Sequence, residues 1–293
     1  MPELQLPSYC TNVYTRRTRN LLKKPNFLAP RYVQNGLLGA IAILFGTARI
    51  VPGTQKSGPV LTAAVSLVTA GPSARDSIEP IHSVATHVTA ALGAFQNVIR
   101  PLSDSRALPD AFRGYFAYKA AHPEDVRKPF LYFVDYGLPS TEPRGYVFDM
   151  ASLEIVDGPF TVAHGRGSSS SKYGVPTRFS NATGSMATSL GLYLAEDTYS
   201  FHGKAGGHSY SSVGLRLEGV SSGFNDNARA RKVVAHGAPY VTPTKAGRSE
   251  GCPAMEQARA RKLLPTLANG GMVFLFAPES HWIAQDPWIT STN

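Results

Sequence analysis

The chain is 293 residues long, 43% hydrophobic and rich in Phe (14) and Tyr (13), which excludes a disordered polypeptide and allows one substantial domain plus an extension. Its net charge of +9 would suit a nucleic-acid binder, but residues 1–58 hold eight basic side chains against the single acid Glu3, while the remainder holds 21 against 19. A folded part so near neutrality has no electrostatic footprint for nucleic acid, so that class is set aside.

In chain order, the basic stretch containing Arg16, Arg17, Arg19, Lys23, Lys24 and Arg31 precedes two apolar runs. The first, GLLGAIAILFGTARIV over 36–51, is short for a membrane span and carries Arg49 near its end. The second, VLTAAVSLVTA over 60–70, ends in small residues as a signal peptide does at its cleavage site. Two readings compete. Either the first run is a membrane anchor or a long signal, or the second is the signal and the gene start is over-extended. Both predict an exported protein of the periplasm or cell envelope, free or tethered through the apolar segment. A twin-arginine reading of Arg16-Arg17 is disfavoured by Arg19 and Asn20, where apolar residues are wanted. Residues 1–74 are thus read as a leader. Of the two cysteines, Cys10 lies in this leader, so a mature exported chain keeps Cys252 as an unpaired thiol in an oxidising compartment.

Residues 75–127 read as a helical extension. Ile78, Ile81, Val84, Val88, Leu92, Phe95, Val98 and Ile99 recur at three- and four-residue steps, and a second helix is expected over 111–121 after Pro109-Asp110. From residue 128 to 278 the character changes. PFLYFVDY, RGYVFDM, FTVAHG, GLRLEG, KVVAHG and MVFLFA are short β-rich runs separated by Gly, Pro, Ser and Asn, which predicts a mainly β sandwich or barrel. One helix, 255–268, is expected directly after Cys252. Residues 279–293 form a tail, where Trp282 and Trp288 are expected to pack rather than to stack on glycan. The glycine-rich runs GRGSSSSKYG and GKAGGHS lack the following Lys-Ser/Thr of a phosphate cradle, and no cofactor is expected.

The block 233–254, VVAHGAPYVTPTKAGRSEGCPA, carries the chemistry. A thiol becomes an efficient nucleophile when an imidazole can take its proton and a cation or helix N-terminus favours the thiolate. His236, ending a strand-like run at Gly237, offers the first, and the expected helix after Cys252 offers the second. Backbone N–H groups around Gly251 and Cys252 are candidate oxyanion donors. Spacing alone leaves other uses open. A zinc site needs three or four ligands and finds no second cysteine nearby, and a papain-like order would put the cysteine first.

The block resembles the L,D-transpeptidase catalytic domain, whose pattern is a His-Gly pair, an interval of this length, then Ser-x-Gly-Cys. The matching residues are His236-Gly237 and Ser249-Glu250-Gly251-Cys252. The stretches VFDM, VAHGRGSSS, RFSNATGSMATSLGLY, GLRLEG and NDNARARKVVAHGAPYV extend the likeness to the murein branch of that family, from about residue 129 to 276. The resemblance implies a Cys–His enzyme acting on peptidoglycan stem peptides, with Cys252 as nucleophile, His236 as base and acid, Ser249 supporting the loop and Gly251 permitting its tight turn. The acyl-enzyme would be resolved by an amine, giving a cross-link, or by water, giving an L,D-carboxypeptidase. A wall-binding module that kept the fold is the non-enzymatic alternative.

Two departures stand out. Glu250 replaces the usual His, a carboxylate whose effect on the thiol Arg248 is expected to offset. Ala254 replaces the usual Arg or Asn, leaving Arg248, His164 and Tyr240, with Gly237, as the substrate-binding candidates. Ser180-Asn181, His202, His208 and Asp226 are read as turn or loop residues first, with cleft, substrate or calcium roles second.

Overall fold

The computed structural model describes residues 79–290. The leader, both apolar runs, Cys10 and Ile78 fall outside the described residues.

The described chain opens with two helices, α1 (Glu79–Phe95) and α2 (Ala107–Ala121). α2 starts four residues before its expected first residue, Ala111, because Pro109 sits in its first turn, where backbone N–H groups have no intrahelical partner to lose. Then come β1 (Phe130–Asp135), β2 (Gly145–Asp149), β3 (Glu154–Phe160) and the two-residue β4 (His164–Gly165). The strands β5 (Gly191–Ala205) and β6 (His208–Gly219) form a long hairpin. Its tip, Gly206-Gly207, takes positive φ at both positions, as a tight hairpin turn demands. A short α3 (Ala228–Arg231) leads into β7 (Val234–Gly237), followed by the small pair β8 (Val241–Thr242) and β9 (Lys245–Ala246). The last elements are β10 (Arg248–Ser249), β11 (Ala254–Met255), α4 (Gln257–Leu267), β12 (Met272–Phe276), α5 (Ser280–Ile283) and α6 (Pro287–Thr290).

Eight strands form one mixed sheet in the order β11-β7-β6-β5-β12-β1-β2-β3. β1 and β12 pair in parallel at its centre, and their sequences FLYFVD and MVFLF are continuously apolar because helices cover both faces. On one face, Phe133 and Phe148 meet Phe95 of α1 and Phe112 of α2. On the other, Tyr132 stacks on Phe160, over whose ring lies Arg259 of α4. α4 buries Leu263, Leu264 and Leu267, each contributing roughly 1.5–3 kcal/mol by leaving water. The chain just past β3 returns to the opposite edge: Ala163 N–H donates to Ala254 O at 2.8 Å, an isolated bridge to β11. The expected sandwich or barrel is thus a mostly β body on one curled sheet, whose two edges are stitched together by that bridge.

α1 and α2 share a single hydrophobic core with the sheet. The tail joins it too. Trp282 is buried against Phe274 and Phe276, and Trp288 donates its indole N–H to Val220 O at 2.7 Å. α4 begins two residues after its expected start because Met255 is drawn into β11 beside β7.

Gly237 lets α4 approach β7. A β-carbon there would stand 2.8 Å from both Gln257 Cα and Ala260 Cβ, and 2.3 Å from Ser212 Oγ. Replacing Gly237 with Ala is expected to lower unfolding free energy by about 1–3 kcal/mol through overpacking. Denaturant titration checks this, and an unchanged midpoint would refute the packing argument.

Candidate active site

The segment 248–255 runs between two His-Gly dipeptides that the sequence repeats 72 residues apart, at His164-Gly165 and His236-Gly237. β10 pairs in parallel with β4, setting Arg248 against His164 and Ser249 against Gly165. β11 pairs in parallel with β7, setting Ala254 against His236 and Met255 against Gly237. The four residues between these grips, Glu250 to Pro253, must therefore arch, and Cys252 lies on the arch.

Local bonds fix its shape. Ser249 Oγ donates to Cys252 O at 2.7 Å and accepts from Gly251 N–H at 3.2 Å. Gly251 has φ +120°, and a β-carbon on it would come within 2.8 Å of Ala187 O, so the position requires glycine. Its N–H, one of the expected oxyanion donors, is already engaged by Ser249. The helix expected to aid the thiol is also displaced: β11 intervenes, and α4 starts only at Gln257.

A cavity of about 330 Å³ opens over the arch. It gathers Cys252, His236, Ser249, Glu250, Arg248 and Tyr240. Arg166, Lys172, Lys204 and Tyr210 complete the polar lining. Of the catalytic and substrate-binding candidates read from the sequence, His164, Gly237 and Gly251 do not line it.

His236 is 1% exposed and stacks on Phe201, centroid to centroid 4.1 Å. Its Nδ1 stands 3.1 Å from Gly237 O, and a carbonyl can only accept. The ring proton therefore sits on Nδ1, and Nε2 keeps its lone pair, the tautomer of a general base. Burial pushes its pKa down to about 4, against a smaller upward pull from the Gly237 carbonyl, so the ring is neutral at pH 7.

His164 is fully buried behind this wall. Its Nδ1 accepts from Arg144 Nη2 at 3.0 Å, so its proton sits on Nε2, a buried atom without a hydrogen-bond partner. Burial first, then the charges of Arg144 and Arg248, push its pKa down to about 3. Arg144 is itself buried, bonded to Val162 O and Leu138 O and stacked over Tyr136.

The charge pairing differs from the expected one. Arg166, not Arg248, meets Glu250, at 3.3 Å. Arg248 turns to the carbonyls of Ser169 (3.0 Å) and Ser170 (3.4 Å). A partly exposed pair such as Arg166–Glu250 adds about 0–1 kcal/mol to stability, so its effect lies in neutralising the carboxylate next to the thiol. Ala254, in place of the family's usual Arg or Asn, is buried among Ala163, Ala238, Val241 and Ala246. Ser180 and Asn181 line a separate cleft of about 620 Å³. Asn181 bonds Asp226, whose other oxygen accepts from Gly223 N–H, so Asp226 serves a turn. His202 lies 3.0 Å from Ser211 Oγ on the hairpin, and His208 is exposed beside its tip. Sequence reasoning missed Phe201, Lys204 and Tyr210. The Gly206-Gly207 turn between two β-rich runs was the signal that would have found their hairpin.

Residues 101–276, more than half of the chain, match the family described as the L,D-transpeptidase catalytic domain. No curated protein matches. Among solved structures, an L,D-transpeptidase from Mycobacterium smegmatis is similar at 13% identity and a TM-score of 0.30. The match covers 51% of this chain and 59% of that one, under two thirds of its length.

The depressed pKa of His164 has a sign that can be tested. Unfolded, it takes a proton below about pH 6.5, whereas folded it stays neutral to about pH 3, so it destabilises the fold progressively through that window. His164→Gln keeps an acceptor for Arg144 without titrating. Its melting temperature is expected to rise relative to wild type as pH falls from 6.5 towards 3, and a pH-independent difference would contradict the assignment.

Proposed function

Because the chain belongs to the L,D-transpeptidase catalytic-domain family, we propose that it is an exported peptidoglycan enzyme using Cys252 as nucleophile and His236 as general base and acid. The observation that carries this reading is the tautomer. Gly237 O holds the proton on Nδ1, leaving Nε2 as the ring's acceptor, and His236 lines the cavity that Cys252 also lines.

In this mechanism Nε2 takes the Sγ proton, and the sulfur attacks the carbonyl carbon of the third stem residue. The tetrahedral intermediate collapses as His236 returns the proton to the departing D-Ala nitrogen, leaving a thioester on Cys252. An amine of a neighbouring stem then attacks the thioester, its proton passing through His236, and a cross-link forms. If water attacks instead, the enzyme is a carboxypeptidase.

Ser249 acts by tying the arch, and Gly251 by allowing it. The polar lining supports a stem-peptide substrate. Arg166, Lys172, Lys204 and Arg248 face a cavity in which Glu250 is the one carboxylate, which favours a ligand bearing carboxylates. Arg248 and Tyr240 are the substrate contacts proposed from the sequence, and Lys204 joins them from the hairpin. His164 and Gly237 act from behind the wall.

Among the described residues no helix is long and apolar enough to cross a membrane. We propose the catalytic body as 128–278. The helical extension 75–127 supplies α2 to its core, in keeping with a family match that starts at residue 101.

Incubation with tetrapeptide muropeptides, with and without an acceptor stem, tests the proposal. Cross-linked dimers are expected when acceptor is present, and His236→Ala should reduce the rate about 10²- to 10⁴-fold. Tripeptides alone would make the enzyme a hydrolase. No turnover, with Cys252→Ala indistinguishable from wild type, would leave a wall-binding module.

A further inference from the structure

Two arginines close α3, and they are used differently. Arg229 is a surface residue bonded to the carboxylates of Glu196 and Glu218. Arg231, at the helix end just before β7, is half-buried and donates only to neutral acceptors: Ser180 O (2.7 Å), Ala187 O (2.6 Å), Ser185 Oγ (3.1 Å) and Ser189 Oγ (2.5 Å). No carboxylate pairs with it among the described residues. Burying a guanidinium without a counter-ion is unfavourable, and burial does lower its pKa, with Tyr193 and Cys252 pulling the other way.

Its position gives the missing charge a location. Nη2 lies 3.5 Å from the point where a β-carbon on Gly251 would stand, and the carbonyl of the next residue, Lys232, is 3.9 Å from Cys252 Sγ. Other ionisable groups stand about the thiol, among them the exposed Lys232, whose carbonyl faces Sγ. Glu250 pairs with Arg166, Arg248 holds carbonyls, and burial keeps Tyr136 and Tyr193 neutral. Lys172 and Lys204, with Tyr210 and Tyr240, also line the cavity. His236 is neutral at rest, so a permanent cation is needed if negative charge is to rest on the sulfur.

We propose that Arg231 is the counter-ion of the Cys252 thiolate, a positioning residue that the 180–189 loop holds against the arch. The inference rests on the reading of Cys252 as nucleophile. In the step it assists, the Sγ–H bond breaks, the proton goes to His236 Nε2, and the electron pair stays on sulfur beside the guanidinium.

The test is the pH dependence of Cys252 alkylation by iodoacetamide in the full chain, followed by mass spectrometry of the Cys252 peptide. In Arg231→Gln the alkylation midpoint should rise by at least about one pH unit, a tenfold loss of thiolate at a fixed pH below it. Arg231→Lys keeps the charge but loses the fork, so it should stay near wild type even where its melting temperature falls. Arg229→Gln should not move the midpoint. An unchanged midpoint in folded Arg231→Gln overturns the proposal. Should that variant not fold, a full-unit rise in Arg231→Lys overturns it instead. A wild-type midpoint at the ordinary thiol value near 8.5, or a low midpoint indifferent to residue 231, refutes this inference alone, whereas a folded chain whose Cys252 is never acylated by substrate refutes the nucleophile reading.

Discussion

Parallel pairing of two short strands with β4 and β7 holds both ends of the segment that carries Cys252, and the rest of the site is arranged around that grip. The register sets Ala254 beside His236 and Arg248 beside His164, so the four intervening residues have no ladder of their own and arch outward. Three glycines make this possible. Gly165 lets the arch approach, since a β-carbon on it would meet Gly251 Cα at 2.9 Å; Gly251 supplies the positive φ; and Gly237 admits α4. Closing the sheet through Ala163 and Ala254 brings β4 to the same place as β7, although the two are far apart in sequence.

Charge is handled in an unusual way around this arch. Two histidines are kept neutral by burial, and two arginines, the buried Arg144 and the half-buried Arg231, bond carbonyls and hydroxyls rather than carboxylates. Partnerless buried charge is normally selected against unless something compensates it. In the proposed mechanism negative charge develops on sulfur and then on an oxyanion, and preorganised groups that need not reorient would supply such compensation. Arg166 removes the one nearby carboxylate from the balance.

Much of the arch was legible in the sequence because its parts are local. His236-Gly237 and Ser249-x-Gly-Cys are contiguous motifs, and the bonds among Ser249, Gly251 and Cys252 span three residues. The continuous apolar runs of β1 and β12 likewise announced buried strands. What was illegible depends on pairings between distant segments. Nothing near Phe201 marks it as the face against His236, and nothing near Arg231 distinguishes it from Arg229, two residues earlier. The exchange of partners between Arg166 and Arg248 follows from the β4–β10 register, which no local pattern encodes. The helix after Cys252 was anticipated, but pairing with β7 pulled Met255 into a strand and moved the helix N-terminus away from the thiol.

The central claim is that Cys252 forms an acyl-enzyme. Treating the full chain with a carbapenem, followed by intact-mass and peptide mass spectrometry, tests it most directly. One covalent adduct per chain is expected, mapped to the peptide containing Cys252 and absent from Cys252→Ser. An unmodified Cys252 alongside a label on any other residue would contradict it.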